Sequence, residues 1–152
     1  MKCKNIYFLI AVLSLTGCAE TRKMVVECEF PSENAPQGPA LVAQEYGRMS
    51  PIPLNAIQYV DRSLTEQLVI QSLRTSRTPT NTVKVSARMV NCGDSPLVVG
   101  VRTHFFDKDQ ASTEKETTWH NVVIQPHALG QYSESSLSPN VANYLLEMRD
   151  AR

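Results

Sequence analysis

No charge of one sign dominates this sequence, and that absence already excludes function classes. Its 152 residues carry 15 Lys+Arg against 15 Asp+Glu. The basic footprint of a nucleic-acid binder is therefore missing, and no nucleic-acid partner is expected. No apolar run approaches the roughly 20 residues that a bilayer span requires. Aromatics make up only 7%, with one Trp, and there are 6 Gly. Beyond residue 53 none of these glycines sits in a Gly-rich phosphate loop. What is present is ordinary for a folded chain: 42% hydrophobic and 20% charged residues argue against wholesale disorder. The length suits one domain with a real core.

The N-terminus reads as an address. Lys2 and Lys4 precede an apolar run from Ile6 to Leu15, which has the length of a signal-peptide core. The run ends in Leu15-Thr16-Gly17-Cys18, a bacterial lipobox. Small residues there fit a narrow peptidase groove, and the Cys18 thiol would accept a diacylglyceryl group before cleavage ahead of it. Several acyl chains on one residue meet the need for more than one weak membrane signal. Ala19 follows, not the Asp that commonly retains lipoproteins in the inner membrane. The expected place is the outer membrane, facing the periplasm. Loss of Lys2 and Lys4 would leave 13 cationic against 15 anionic residues, a net of −2.

Of the 4 Cys, Cys3 would leave with the signal peptide and Cys18 would carry lipid. Cys28 and Cys92 remain, in a compartment that permits disulfides. They either pair or stay as two thiols. A bridge would close a loop of about 65 residues, worth roughly 4 kcal/mol in the chain-entropy model.

Three segments follow: a signal peptide at 1–17, a lipidated N-terminus and tether at 18–53, and a domain at 54–152. The tether holds five of the 9 prolines, with Gly38 and Gly47 between them, a composition that resists regular structure. Within it, Met24-Val25-Val26 and Leu41-Val42-Ala43 are apolar enough to dock on the domain. Past Pro53 the texture turns to β. Strands are predicted at 54–60, 66–74, 82–89, 97–106, 119–125, 128–135 and 144–149. The second of these could also be a helix, from the spacing of Leu64, Leu68 and Leu73. In Thr82–Met89, Val83, Val85, Ala87 and Met89 alternate with polar residues, the period of a half-buried strand. Residues 82–106 read as a hairpin around Asn91–Pro96. About seven short strands predict an all-β antiparallel sandwich.

Chemistry-bearing residues are few. His104 and His120 could meet across neighbouring strands, with His127 further on. A zinc site needs three or four ligands, and no close spacing offers them, so no metal or other cofactor is expected. Asp107-Lys108-Asp109 lacks the glycine and distal ligand of a calcium loop and reads as a turn. Ser133, Ser135, Ser136 and Ser138 occupy no nucleophile motif, and no catalytic residue is assigned. Phe105 and Phe106 must point to opposite faces of their strand. Arg102, His104 and Phe106 then share the second face as a candidate partner-binding patch, or as a plain solvated surface. Trp119 is the candidate contact for a glycan.

One ordered set of short motifs resembles a known family. Leu54-Asn55 and Asp61 open it, followed by Val90-Asn91 and Pro96-Leu97. Arg102-Thr103-His104-Phe105-Phe106-Asp107 comes next, then Trp119, Pro126, Glu134-Ser135-Ser136 and Arg149. This order, over residues 50–152 together with the lipobox, resembles the YcfL-like family of bacterial periplasmic lipoproteins, a domain of unknown function. Gln110 departs from it, standing where a glycine is expected in the turn. The resemblance implies an immunoglobulin-like sandwich and brings no catalytic residues. Some family members neighbour a lipoprotein activator of a penicillin-binding protein, which points toward cell-wall work. The expectation is a non-enzymatic, lipid-anchored accessory that binds an envelope protein. A peptidoglycan or glycan binder, or a structural lipoprotein without a specific ligand, are the alternatives.

Overall fold

Alternating side chains in two long segments set the core. Val83, Val85, Ala87 and Met89 from one, and Leu97, Val99, Val101 and Phe105 from the other, are all buried. They face each other across two β-sheets. The computed structural model describes Cys28 and residues 38–42, 46–47 and 49–152. The signal peptide, the lipidation site Cys18 and most of the tether lie outside the described residues.

The strands are β1 (Ala40–Leu41), β2 (Ser50–Pro51), β3 (Ile57–Tyr59), β4 (Leu68–Arg77) and β5 (Val83–Asn91). Then come β6 (Leu97–Phe106), β7 (His120–Ile124), β8 (Leu129–Ser135) and β9 (Asn143–Asp150). The first sheet runs β1-β9-β6-β7, with β3 also paired to β9; the second runs β2-β4-β5-β8. All pairs are antiparallel except β3 with β9. Between residues 54 and 152 this makes seven strands, four in one sheet and three in the other. That is the partition of an immunoglobulin-like sandwich.

Several local expectations change. Of the 66–74 segment, Leu68 onward is strand, part of β4, while Glu66 closes a short 3₁₀ helix at Arg62–Glu66. Leu54–Ala56 forms a 3₁₀ turn, leaving only Ile57–Tyr59 as strand. The 82–106 hairpin does not form. β5 pairs with β4 and β8, while β6 pairs with β7 and β9, so residues 92–96 cross from one sheet to the other. The reason is burial: each strand turns a row of mostly apolar side chains to one side, and opposing those rows removes them from water together. The true hairpin is β4–β5, closed at Thr78–Thr82, with Asn81 at φ 63°.

Packing begins upstream of residue 54. Ala40, Val42 and Ile52 are buried in the same core, and β1 and β2 extend β9 and β4. Cys28 is disulfide-bonded to Cys92, at the end of β5. One polar pair spans the interior: the hydroxyls of Thr103 on β6 and Tyr132 on β8 lie 2.8 Å apart. Each satisfies the other where water is excluded.

Candidate functional site

On β6, Arg102, His104 and Phe106 are two residues apart and half-buried, so they share the outward face of the first sheet. His104 and Phe106 stack, with ring centres 6.3 Å apart and planes 11° from parallel. The patch predicted from spacing is therefore one continuous row. Its neighbours come from β9, whose register sets Glu147 opposite Arg102, Leu145 opposite His104 and Arg149 opposite Gly100.

Glu147 is the hub. Arg102 Nε donates to its Oε2, and His104 Nε2 lies 2.9 Å from the same oxygen. That imidazole nitrogen is otherwise buried without a hydrogen-bond partner. Arg102 also reaches Glu116, at 3.7 Å. Burial pushes the Glu147 pKa up, but hydrogen bonding and charge from His104 and Arg102 outweigh it and hold the carboxyl below its usual range. A carboxylate kept ionised in this way is a poor proton shuttle at neutral pH. It is a good fixed charge.

Trp119 immediately precedes β7 and lies over the sheet. The guanidinium carbon of Arg102 is 4.5 Å from its ring centre and that of Arg149 is 4.3 Å away. Such contacts are cation–π attractions. Gly100 makes room beneath: a Cβ there would come within 3.1 Å of Arg149 Cγ and 3.4 Å of Trp119 Cε3. The row continues toward Leu41, which is 77% exposed and lies across Asn143 from Phe106. The outward face thus grades from a charged aromatic cluster into an apolar corner.

His104 and His120 do not meet. His120 sits at the open edge of the sandwich, 3.0 Å from Glu134 of the other sheet. His127 pairs with the exposed Asp94 at 3.0 Å. Among the described residues no three His, Cys, Asp or Glu side chains gather as a metal would require. The Asp107 carboxylate accepts the backbone N–H groups of Asp109 and Ala111, both at 2.9 Å, which makes a tight turn. Gln110 occupies it at φ 62°, the left-handed region that explains why glycine is expected there.

Ser136 is buried, holding Val83 N–H and donating to the Ser138 carbonyl. Ser133 and Ser135 are exposed. Ser112-Thr113-Glu114-Lys115 has the spacing Ser-x-x-Lys. It lies in a loop bent at Thr113 and Glu114, without the helical turn that would bring i and i+3 to one face. Ser112 Oγ instead donates to the Glu114 carbonyl. Sequence reasoning missed Glu147 and Arg149, because the β6–β9 register is not written in local spacing.

No family model matches the sequence, and no curated protein matches it. Among solved structures the chain is similar to Campylobacter jejuni cj0090. The TM-score is 0.49 at 9% identity, covering 62% of this chain and 97% of that one. It is also similar to a DUF1425 family member from Shewanella sp. pv-4, with TM-score 0.49 at 13% identity, covering 56% of this chain and 79% of that one.

Proposed function

We propose that this chain is a non-enzymatic lipoprotein of the YcfL-like type, anchored through Cys18 in the outer membrane and facing the periplasm. Its outward first-sheet face would hold an envelope protein, within cell-wall assembly or a related machine. One observation carries this reading. Arg102, His104, Phe106, Trp119, Glu147 and Arg149 hold one another in position on a single face. Trp and Arg fixed before a partner arrives lose little freedom on binding, which is how interface hot spots gain affinity. The ordered motifs and the lipobox support the family and the address.

In the living envelope, crosslinking followed by mass spectrometry should capture a protein through this face. Changing Arg102 and Phe106 together to Ala should abolish the capture while the melting curve stays cooperative. Unchanged crosslinks would rule the face out as the interface. Cys18→Ala should release the chain from the membrane fraction.

Glycan binding through Trp119 is the second reading, supported by the ring's position at the surface. Two guanidinium groups already lie over that ring, so a sugar would have to displace one of them. Co-sedimentation with purified sacculi, free of other proteins, would favour the glycan over the protein partner.

A further inference from the structure

The outward face of the second sheet carries a different pattern. The register sets Arg88 across from Ser72, Arg74 across from Ser86 and Lys84 across from Ser76. On the other side of β5, Gln131 stands beside Arg88 and Ser133 beside Ser86. These side chains line one open trough of about 650 Å³. Arg74, Lys84 and Arg88 are exposed, and among the described residues no carboxylate lines the trough. Among the described residues none of the three cations forms an ion pair with an acid. Residues 51–152 hold ten acids and ten Lys+Arg. Three cations and no acid among the described lining residues make a segregation of charge, where a solvated sheet ordinarily mixes signs.

Spacing decides what such a face can grip. One cation stands on each successive outward row, and rows on a strand are about 6.7 Å apart, two residues at 3.3–3.4 Å each. Arg88 and Lys84 thus rise from backbone positions about 13 Å apart along β5, with Arg74 on the row between them, so the three cations form a line along the trough. A recessed trough fits a planar bilayer poorly. The same 6.7 Å repeat separates alternate side chains of an extended peptide. We propose that this trough binds an extended acidic segment of a partner protein, with Asp or Glu at every second residue. The carboxylates meet Arg88, Arg74 and Lys84 in turn, and the intervening serine hydroxyls donate to them. This site is independent of the first-sheet face.

The test uses the full chain in detergent and two fluorescent peptides of identical composition. One carries Asp at alternate positions, the other the same Asp residues in one block. Anisotropy should show the alternating peptide binding at least about fivefold tighter, with affinity falling between 50 and 200 mM salt. Arg74→Gln, Lys84→Gln and Arg88→Gln should each weaken it about fivefold. Lys108→Gln, a control on an exposed turn, should change nothing. Equal affinity for both peptides would overturn the spacing argument. Failure to bind either peptide would overturn the site, as would tighter binding to pyrophosphate or to vesicles of anionic phospholipid. None of these outcomes bears on crosslinking through Arg102 and Phe106.

Discussion

At Gly130 a single hydrogen atom decides how closely the two sheets approach. A Cβ there would lie 2.6 Å from both Cγ1 and Cδ1 of Ile124, on β7 of the opposite sheet. Ile124 is 1% exposed and cannot swing into solvent. Gly130→Ala should lower stability by about 1–3 kcal/mol through overpacking, read as a lower denaturation midpoint at unchanged slope. Glu147 makes the matching electrostatic case. Its carboxyl titrates below the ordinary value of 4.5. It therefore contributes stability that is complete above that value and is lost as pH falls through the lower folded pKa. In Glu147→Gln this part of the acid slope should vanish. Stability at neutral pH should fall by about 1–3 kcal/mol, because Arg102 and His104 lose their partner. An unaltered pH profile between 5 and 2 would show that Glu147 is not ionised in the way its neighbours imply.

Among the elements, legibility followed period. β5 and β6 were readable because a period of two marks Val83, Val85, Ala87 and Met89, and Leu97, Val99, Val101 and Phe105, as inward, and all are buried; Val90 and Gly100 are buried as well, at outward positions. The partners of those strands were not readable. Two largely apolar faces joined by a five-residue connection are as compatible with a hairpin as with a crossing between sheets, and only the competition from β4, β7, β8 and β9 decides it. The candidate site divided in the same way. Arg102, His104 and Phe106 lie on one strand, so their common face follows from spacing alone. Glu147 and Arg149 reach them through a register with β9, about 45 residues away. The cations of the second sheet were seen only as the polar half of an alternation, and their single sign emerges when strands are laid side by side. Thr103 shows a further limit, being a polar residue at an inward position that Tyr132 satisfies from the other sheet. Tyr132→Phe should cost about 1–2 kcal/mol, measured by urea unfolding. A loss near zero would mean that water, or Thr117, whose Oγ1 already accepts the Thr103 backbone N–H at 2.9 Å, takes over the Thr103 hydroxyl.

For the whole molecule, the cystine between Cys28 and Cys92 fixes which chain segments must stay together. Its sequence separation of 64 encloses β1 through β5. Cys28 itself is exposed, so the bond adds little packing in the folded state. Its effect should fall on the unfolded chain, where the crosslink forbids expanded conformations. The chain-entropy model gives about 4 kcal/mol for a loop of this length. A mainly entropic origin makes a second, sharper demand. The reduced or Cys28→Ser/Cys92→Ser chain should expose more surface on unfolding than the oxidised chain. Its urea unfolding should therefore show both a lower midpoint and a steeper slope. A lower midpoint with an unchanged slope would instead place the stabilisation in native contacts near Cys92, where the backbone N–H already bonds the Gln67 carbonyl at 2.7 Å. In that case Cys92→Ser alone should reproduce the loss, and Cys28→Ser should be much milder.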